Sequence, residues 1–88
     1  MTEHHWKVRT ERGPRFYKAS RFARRWTIQT RLKGEEIWTG LTEPFAATVL
    51  EPLRDLLWAK YQRRRLPFEV VREIDLLLPI EQRRTVGQ

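Results

Sequence analysis

Basic and aromatic side chains are interleaved through the first third of the sequence. Between Lys7 and Arg31 the chain carries nine lysines and arginines but a single acid, Glu11. The aromatic residues in and next to this segment are Trp6, Phe16, Tyr17, Phe22 and Trp26. Lysine and arginine neutralise phosphates, and exposed aromatic rings stack on bases. The segment therefore indicates nucleic-acid binding. The simplest alternative is a basic surface that only keeps the protein in solution.

The positive charge is concentrated in the N-terminal half. The chain has 88 residues and a net charge of +7. Residues 1–42 contain ten basic and four acidic side chains, whereas residues 43–88 contain eight and seven. Such an asymmetric field attracts an acidic partner, which could be nucleic acid, an anionic membrane surface or an acidic protein. We expect no membrane role, because the basic residues lie in strand-like segments and not along an amphipathic helix.

A β-hairpin is predicted between Arg24 and Leu41. Apolar and β-branched residues alternate with polar ones on both arms, and Gly34 supplies the positive φ that a tight turn requires. The face that must be covered holds Trp26, Ile28, Thr30, Leu32, Ile37, Thr39 and Leu41. The outer face holds Arg25, Thr27, Gln29, Arg31, Glu36 and Trp38.

The outer face of this hairpin is the predicted binding surface. Arginine and glutamine on a two-stranded ribbon can read base edges in the major groove, and exposed aromatic rings on a sheet can bind single strands. The expected phosphate contacts are Lys7, Arg9, Arg15, Arg21, Arg24, Arg25 and Arg31, with Gln29 and Trp38 closest to the bases. Two structural alternatives compete. The arginines could pair with Glu35, Glu36 or helix acids, and Trp38 could be covered by another element or a second chain.

Protein interaction is the second functional hypothesis. Tryptophan and arginine are enriched at binding hot spots, so Trp38, Trp58 and the arginines would anchor an adaptor or inhibitor on an acidic partner. An exposed apolar patch around Trp58 would favour this hypothesis. A continuous cationic stripe with an exposed aromatic ring would favour nucleic acid. Both hypotheses are compatible with a homodimer, which would enlarge the core of so short a chain.

No catalytic or metal-binding constellation stands out in the sequence. His4 and His5 are adjacent near the terminus, Ser20 is the only serine, and the four glycines are isolated. Without cysteine the chain has no disulfide and no thiolate-held zinc. We expect no enzyme activity, no cofactor and no metal. The absence of cysteine also fits a reducing cytoplasm, and no apolar run approaches the roughly 20 residues that span a membrane.

Shorter strand signals precede the hairpin. Trp6, Val8 and Thr10 alternate with charged residues, which predicts a strand over residues 4–12 that ends at a Gly-Pro turn signal. Residues 16–20 form a short second candidate. Residues 20–25 are compatible with a loop or with one helical turn.

The C-terminal half predicts two helices. The sequence Thr42-Glu43-Pro44 is typical of a helix start, since threonine caps helices and an early proline is tolerated. An apolar stripe with a period near 3.6 continues to Tyr61, and Pro52 either kinks this helix or divides it. Residues 68–78 fit a second helix better than a strand.

These elements predict an α+β fold in a single domain over residues 1–88. A small antiparallel β-meander, with two to three strands in the N-terminal half, packs against one long or Pro-broken helix and a shorter C-terminal helix. A strand is the alternative for the last element. Residues 1–4 and 82–88 are expected to be flexible.

Overall fold

The computed structural model describes residues 2–84. After Glu43 the chain divides into two compact units, a strand unit and a helical unit. The strand unit is an antiparallel sheet in sequence order with strands β1 (Thr2–Thr10), β2 (Gly13–Phe22), β3 (Arg25–Leu32) and β4 (Thr39–Gly40). The helical unit contains α1 (Ala47–Gln62), α2 (Phe68–Asp75) and a 3-10 turn (Ile80–Gln82). The predicted α+β class is confirmed, with one very short strand more than expected.

Strands β2 and β3 are joined by a two-residue turn of unusual composition. Phe22 pairs with Arg25, so the turn consists of Ala23 and Arg24, with φ angles of 51° and 65°. Two positive φ angles in succession define the tight hairpin turn that matches the twist of the strands, and it normally contains asparagine and glycine. The segment that the sequence left open as a loop or helical turn therefore continues β2 and then reverses.

The second arm of the predicted hairpin is much shorter than expected. Thr39 and Gly40 pair with β3, opposite Thr30 and Gln29, and the N–H of Leu41 donates to the carbonyl of Ile28 at 2.8 Å. Gly34 has the expected positive φ, 97°. Ile37, however, is 79% exposed, so its prediction as a covered residue is wrong. The residues between the turn and β4 leave the ladder, and the apolar alternation continues into a segment that does not pair.

The sheet has one buried face. Its buried residues come from the three long strands and share one side because directly paired residues point the same way. They are His4, Ala19, Trp26, Ile28 and Thr30. The prediction that Trp26 and Ile28 face inward is confirmed. Across the outer part of this face, Trp6 and Tyr17 stack with centroids 5.3 Å apart.

Helix α1 begins later than the sequence signals indicate. Its first residue is Ala47, and the residue before it, Ala46, is extended and makes no side-chain cap. The start predicted at residues 42–44 is therefore wrong. The helix continues through Pro52 without a break. Proline lacks the N–H that would bond to the carbonyl four residues earlier, so α1 tolerates the loss of one internal hydrogen bond.

A Schellman motif ends α1. Arg64 has a φ of 61°, its N–H donates to the carbonyl of Tyr61, and the N–H of Arg65 donates to the carbonyl of Lys60. This pair of bonds satisfies the last helical carbonyls, and glycine is the usual residue at the left-handed position. The three consecutive arginines 63–65 thus form the exposed C-terminal end of α1.

The prediction that residues 68–78 favour a helix is confirmed by α2. Val71, Ile74 and Leu78 are fully or almost fully buried, together with Leu53 and Leu57 of α1. Neither helix among residues 2–84 is long and apolar enough to cross a membrane.

A buried ion pair ties the end of the helical unit together. Arg54 of α1 donates to Oδ1 of Asp75 at 2.9 Å and to the carbonyl of Gln82 at 2.7 Å. The backbone N–H of Arg84 donates to the same Asp75 oxygen at 3.0 Å. Of the two ends predicted to be flexible, residues 2–4 lie in β1 and residues 82–84 join this network, while residues 1 and 85–88 lie outside the described residues.

Candidate nucleic-acid interface

The register of β1, β2 and β3 places most of the sheet's free positive charge on one side. Side chains alternate along each strand, so the residues between those of the buried face all point the other way. We call this side the basic face, and it carries His5, Lys7, Arg9, Phe16, Lys18, Phe22, Arg25, Thr27, Gln29 and Arg31. Trp38, from the segment before β4, lies against it.

Aromatic rings and cations contact each other at the centre of the basic face. The guanidinium of Arg31 lies 4.9 Å from the ring centroid of Phe16 and 5.1 Å from that of Trp38. The ammonium of Lys18 lies 4.5 Å from the Trp38 centroid. Cations at these distances are attracted to the electron-rich faces of the rings. Arg31 is held further by a 2.8 Å hydrogen bond to the carbonyl of Glu35.

A shallow groove of about 340 Å³ opens at this cluster. We call it the stacking groove, and it is lined by His5, Trp6, Lys7, Phe16, Arg31 and Trp38. The groove combines two half-exposed aromatic residues, Phe16 and Trp38, with cationic groups on its rim. Such a lining can hold a flat, electron-rich ring and an attached anion together.

The cations of the basic face are not neutralised by carboxylates. Within residues 2–84, none of its lysines and arginines forms an ion pair. Among the described residues of β1, β2 and β3, the one acid on this face is Glu3, whose Oε1 lies 3.4 Å from Nε2 of His5. Glu35 uses its side chain to accept from the N–H of Leu32 and only its backbone carbonyl to bind Arg31. The alternative that Glu35 or Glu36 neutralises these arginines is therefore wrong.

Six of the nine residues predicted for the site are brought together. They are Lys7, Arg9, Arg25, Gln29, Arg31 and Trp38. Arg15 and Arg21 lie on the opposite side of the sheet, where Arg15 is paired with Val8 and Arg21 with Trp26. Arg15 donates there to Oγ1 of Thr30 at 3.2 Å. Arg24 lies in the tight turn and belongs to neither face.

Sequence reasoning missed Phe16, Lys18 and His5. All three lie in the centre of the basic face, opposite Arg31, Gln29 and Lys18 respectively. The alternation within residues 16–20 contained the signal, because Phe16 and Lys18 share one parity and Tyr17 and Ala19 the other. Deciding which parity faced outward required the register against β3.

The charged cluster of the helical unit, around Arg54 and Asp75, is buried and stabilises the fold of that unit. Arg54 and Asp75 are 5% and 0% exposed and satisfy each other and the chain around residues 82–84. Arg83 donates to the carbonyls of Leu76 and Leu78. Among residues 2–84 no group of three or more His, Cys, Asp or Glu side chains could hold a metal ion.

Comparison with known proteins adds no family to this geometry. No protein-family model matches the chain, and no significant similarity links it to a curated protein or to a solved structure.

Proposed function

We propose that this protein binds nucleic acid through the basic face of its strand unit. The observation that carries the proposal is the arrangement of five lysines and arginines, free of carboxylate partners within residues 2–84, around Phe16 and Trp38. Phosphates would take the cations, and Gln29 offers an amide to base edges. The protein would act in the cytoplasm as a regulatory or accessory factor and not as an enzyme.

A purely solubilising surface explains this face less well. Solubility requires charge, but it does not require aromatic rings in contact with those charges. Phe16, Trp38 and Arg31 form a mixed cluster on a face that has little acid, whereas an ordinary exposed sheet mixes both signs of charge. The combination of exposed cations and rings is what a nucleic-acid surface needs.

The proposal is tested by Arg25→Ala combined with Arg31→Ala. Affinity for labelled mixed-sequence oligonucleotides is measured by fluorescence anisotropy at several salt concentrations. The slope of log affinity against log salt should decrease by about 0.9 for each lost phosphate contact with duplex DNA, or about 0.7 with single strands. Circular dichroism checks that the variant is folded.

A matched control removes the same charge elsewhere. Arg63 and Arg72 are exposed residues of the helical unit, so Arg63→Ala combined with Arg72→Ala lowers the net charge equally without touching the sheet. We expect this control to keep the salt slope. Equal slopes in the two double variants, or no binding by the unmodified protein at low salt, would contradict the proposal.

Protein interaction is retained as a second candidate because of one observation in the helical unit. Leu76, Leu77 and Ile80 are large apolar residues that are 45%, 52% and 64% exposed. Trp58, which was expected to anchor such a contact, instead packs against Tyr61 and Phe68. Sedimentation of the protein against that of Leu77→Ser over a range of concentrations tests whether these residues mediate a homodimer. Identical monomeric behaviour of both would remove the homodimer form of this candidate.

A further inference from the structure

We infer that the preferred nucleic acid is single-stranded, with one unpaired base held in the stacking groove that Phe16, Arg31 and Trp38 line. This inference rests on the proposed function and names the form of nucleic acid. It starts from the shape of the surface. The two rings line a shallow depression with a volume of about 340 Å³. Bases of a duplex are stacked on one another and cannot enter it, whereas an unpaired base can.

The cations in and beside the groove do not exclude a base. Lys18 lies over the ring of Trp38 in the free protein. Stacking of a base on an aromatic ring is stronger than a cation–π contact at an exposed site. A bound strand also brings a phosphate for Lys18, so the ammonium exchanges the ring for an anion. Arg31 can stay in place, because bases stack on guanidinium planes as well as on rings.

A further exposed ring lies on the same face and indicates the path that the bound nucleic-acid strand would follow. Phe22 is 70% exposed and stands six residues from Phe16 along β2, a distance of about 20 Å at the usual rise of a strand. Lys18 lies between them, and Arg25 is paired with Phe22. A nucleic-acid strand that runs parallel to β2 would therefore meet an aromatic ring at each end and cations between them. It would occupy a site near the lower end of the roughly 4–16 nucleotides that compact single-strand binders cover.

The discriminating experiment compares single-stranded and duplex oligonucleotides of one sequence. Labelled single-stranded DNA, single-stranded RNA and the DNA duplex are titrated with the full protein and with Trp38→Ala. We expect the unmodified protein to bind both single strands more tightly than the duplex. Trp38→Ala should weaken single-strand binding by roughly 5- to 150-fold, the range for one lost stacking contact, and change duplex binding little. Trp38→Phe should restore most of the affinity.

Ile37→Ala is the matched control for Trp38→Ala. Ile37 precedes Trp38 in the same segment, is 79% exposed and is not part of the stacking groove. We expect its affinity to equal that of the unmodified protein. A length series then tests the direction of the strand: Phe22→Ala should weaken binding of oligonucleotides long enough to reach the turn and leave the shortest binding ones unaffected.

The possible outcomes separate the two claims. Duplex binding at least as tight as single-strand binding, with Trp38→Ala without effect on either, overturns the inference and leaves the proposed function standing. The same holds if Ile37→Ala and Trp38→Ala lose affinity equally, because the groove is then not specific. No salt-sensitive binding of any oligonucleotide overturns both claims.

Discussion

Replacing Asp75 with asparagine should destabilise the helical unit, because it leaves a buried guanidinium without the one buried carboxylate that it contacts. Asp75 is fully buried and accepts from Arg54 at 2.9 Å and from the N–H of Arg84 at 3.0 Å. Asparagine keeps the size and one acceptor oxygen, so the change removes the charge with little change of packing. Arg54 is itself 5% exposed and cannot turn to water without moving α1.

The magnitude follows from the number of partners that remain. Breaking a buried ion pair by removing one member costs about 3–5 kcal/mol. Arg54 keeps the exposed carboxylate of Asp55, at 2.9 Å from Nε, and the carbonyl of Gln82, so we expect the lower end, about 3 kcal/mol. A chain of this length has a total stability of about 4–13 kcal/mol. The variant should therefore melt on the order of 10–25 °C below the unmodified protein.

The pH behaviour of this pair is also defined. Burial lowers the pKa of Arg54, but the hydrogen bonds and charges of Asp75 and Asp55 outweigh burial and raise that pKa above its ordinary value. A raised pKa in the folded state means that the stabilisation is complete below the pKa of the unfolded chain and is lost only as pH rises through the folded value. Titration of Arg54 thus leaves stability constant through the neutral and mildly alkaline range.

Urea unfolding of the full chain, followed by circular dichroism at the helical band, measures these changes. The double variant Asp75→Asn with Arg54→Met removes both charges, so it should lose less than the sum of the two single variants. Losses below about 1 kcal/mol for Asp75→Asn, or strict additivity in the double variant, would refute the idea that the two buried charges depend on each other.

Four further substitutions should change stability through the backbone, and each change is measurable by urea unfolding. Arg24→Gly and Arg64→Gly should each stabilise by about 0.5–1 kcal/mol, because glycine adopts the positive φ of these turns without strain; loss of stability in both would contradict this explanation. Gly34→Ala should destabilise by about 1 kcal/mol although its Cβ would meet no atom within 4 Å, and a neutral result would show that the loop relaxes. Pro52→Ala should stabilise α1 by up to about 3 kcal/mol by restoring an N–H, and an unchanged or lowered stability would contradict this expectation.

The inward and outward sides of β3 could be predicted from sequence because alternation needs no partner. Trp26 and Ile28 are buried, and Arg25 and Arg31 stand on the other face, as the period of two requires. The faces of β2 could not be assigned in the same way. The residues of β2 are mostly half-buried on both of its faces, so no face of this strand is marked as the inner one by a contrast in burial. Arg15 was misplaced for this reason, since one residue of register reverses every side chain of a strand.

The unpredicted turns and ends share a different cause. Ala23 and Arg24 adopt positive φ without glycine or asparagine, so no local signal marks the reversal that extends β2 to Phe22. At the start of α1, by contrast, a local signal is present but the helix does not follow it. Thr42 and its neighbours have favourable helix-start chemistry, yet the helix begins at Ala47 with no side-chain cap. Local propensities of about 1 kcal/mol at a cap are small enough for packing elsewhere to override.

The basic face also shows how a sheet can carry so many like charges. Like charges directly opposite each other on neighbouring strands destabilise a sheet. Here Lys7 and Arg31 both pair with Phe16, which stands between them, and Lys18 lies between His5 and Gln29. Each Lys or Arg therefore faces a residue other than Lys or Arg on the neighbouring strand, and Phe16 and Trp38 provide cation–π contacts that partly offset the remaining repulsion. The same register that makes the charge tolerable leaves these cations without carboxylate partners within residues 2–84, and so links the stability of this face to the function proposed for it.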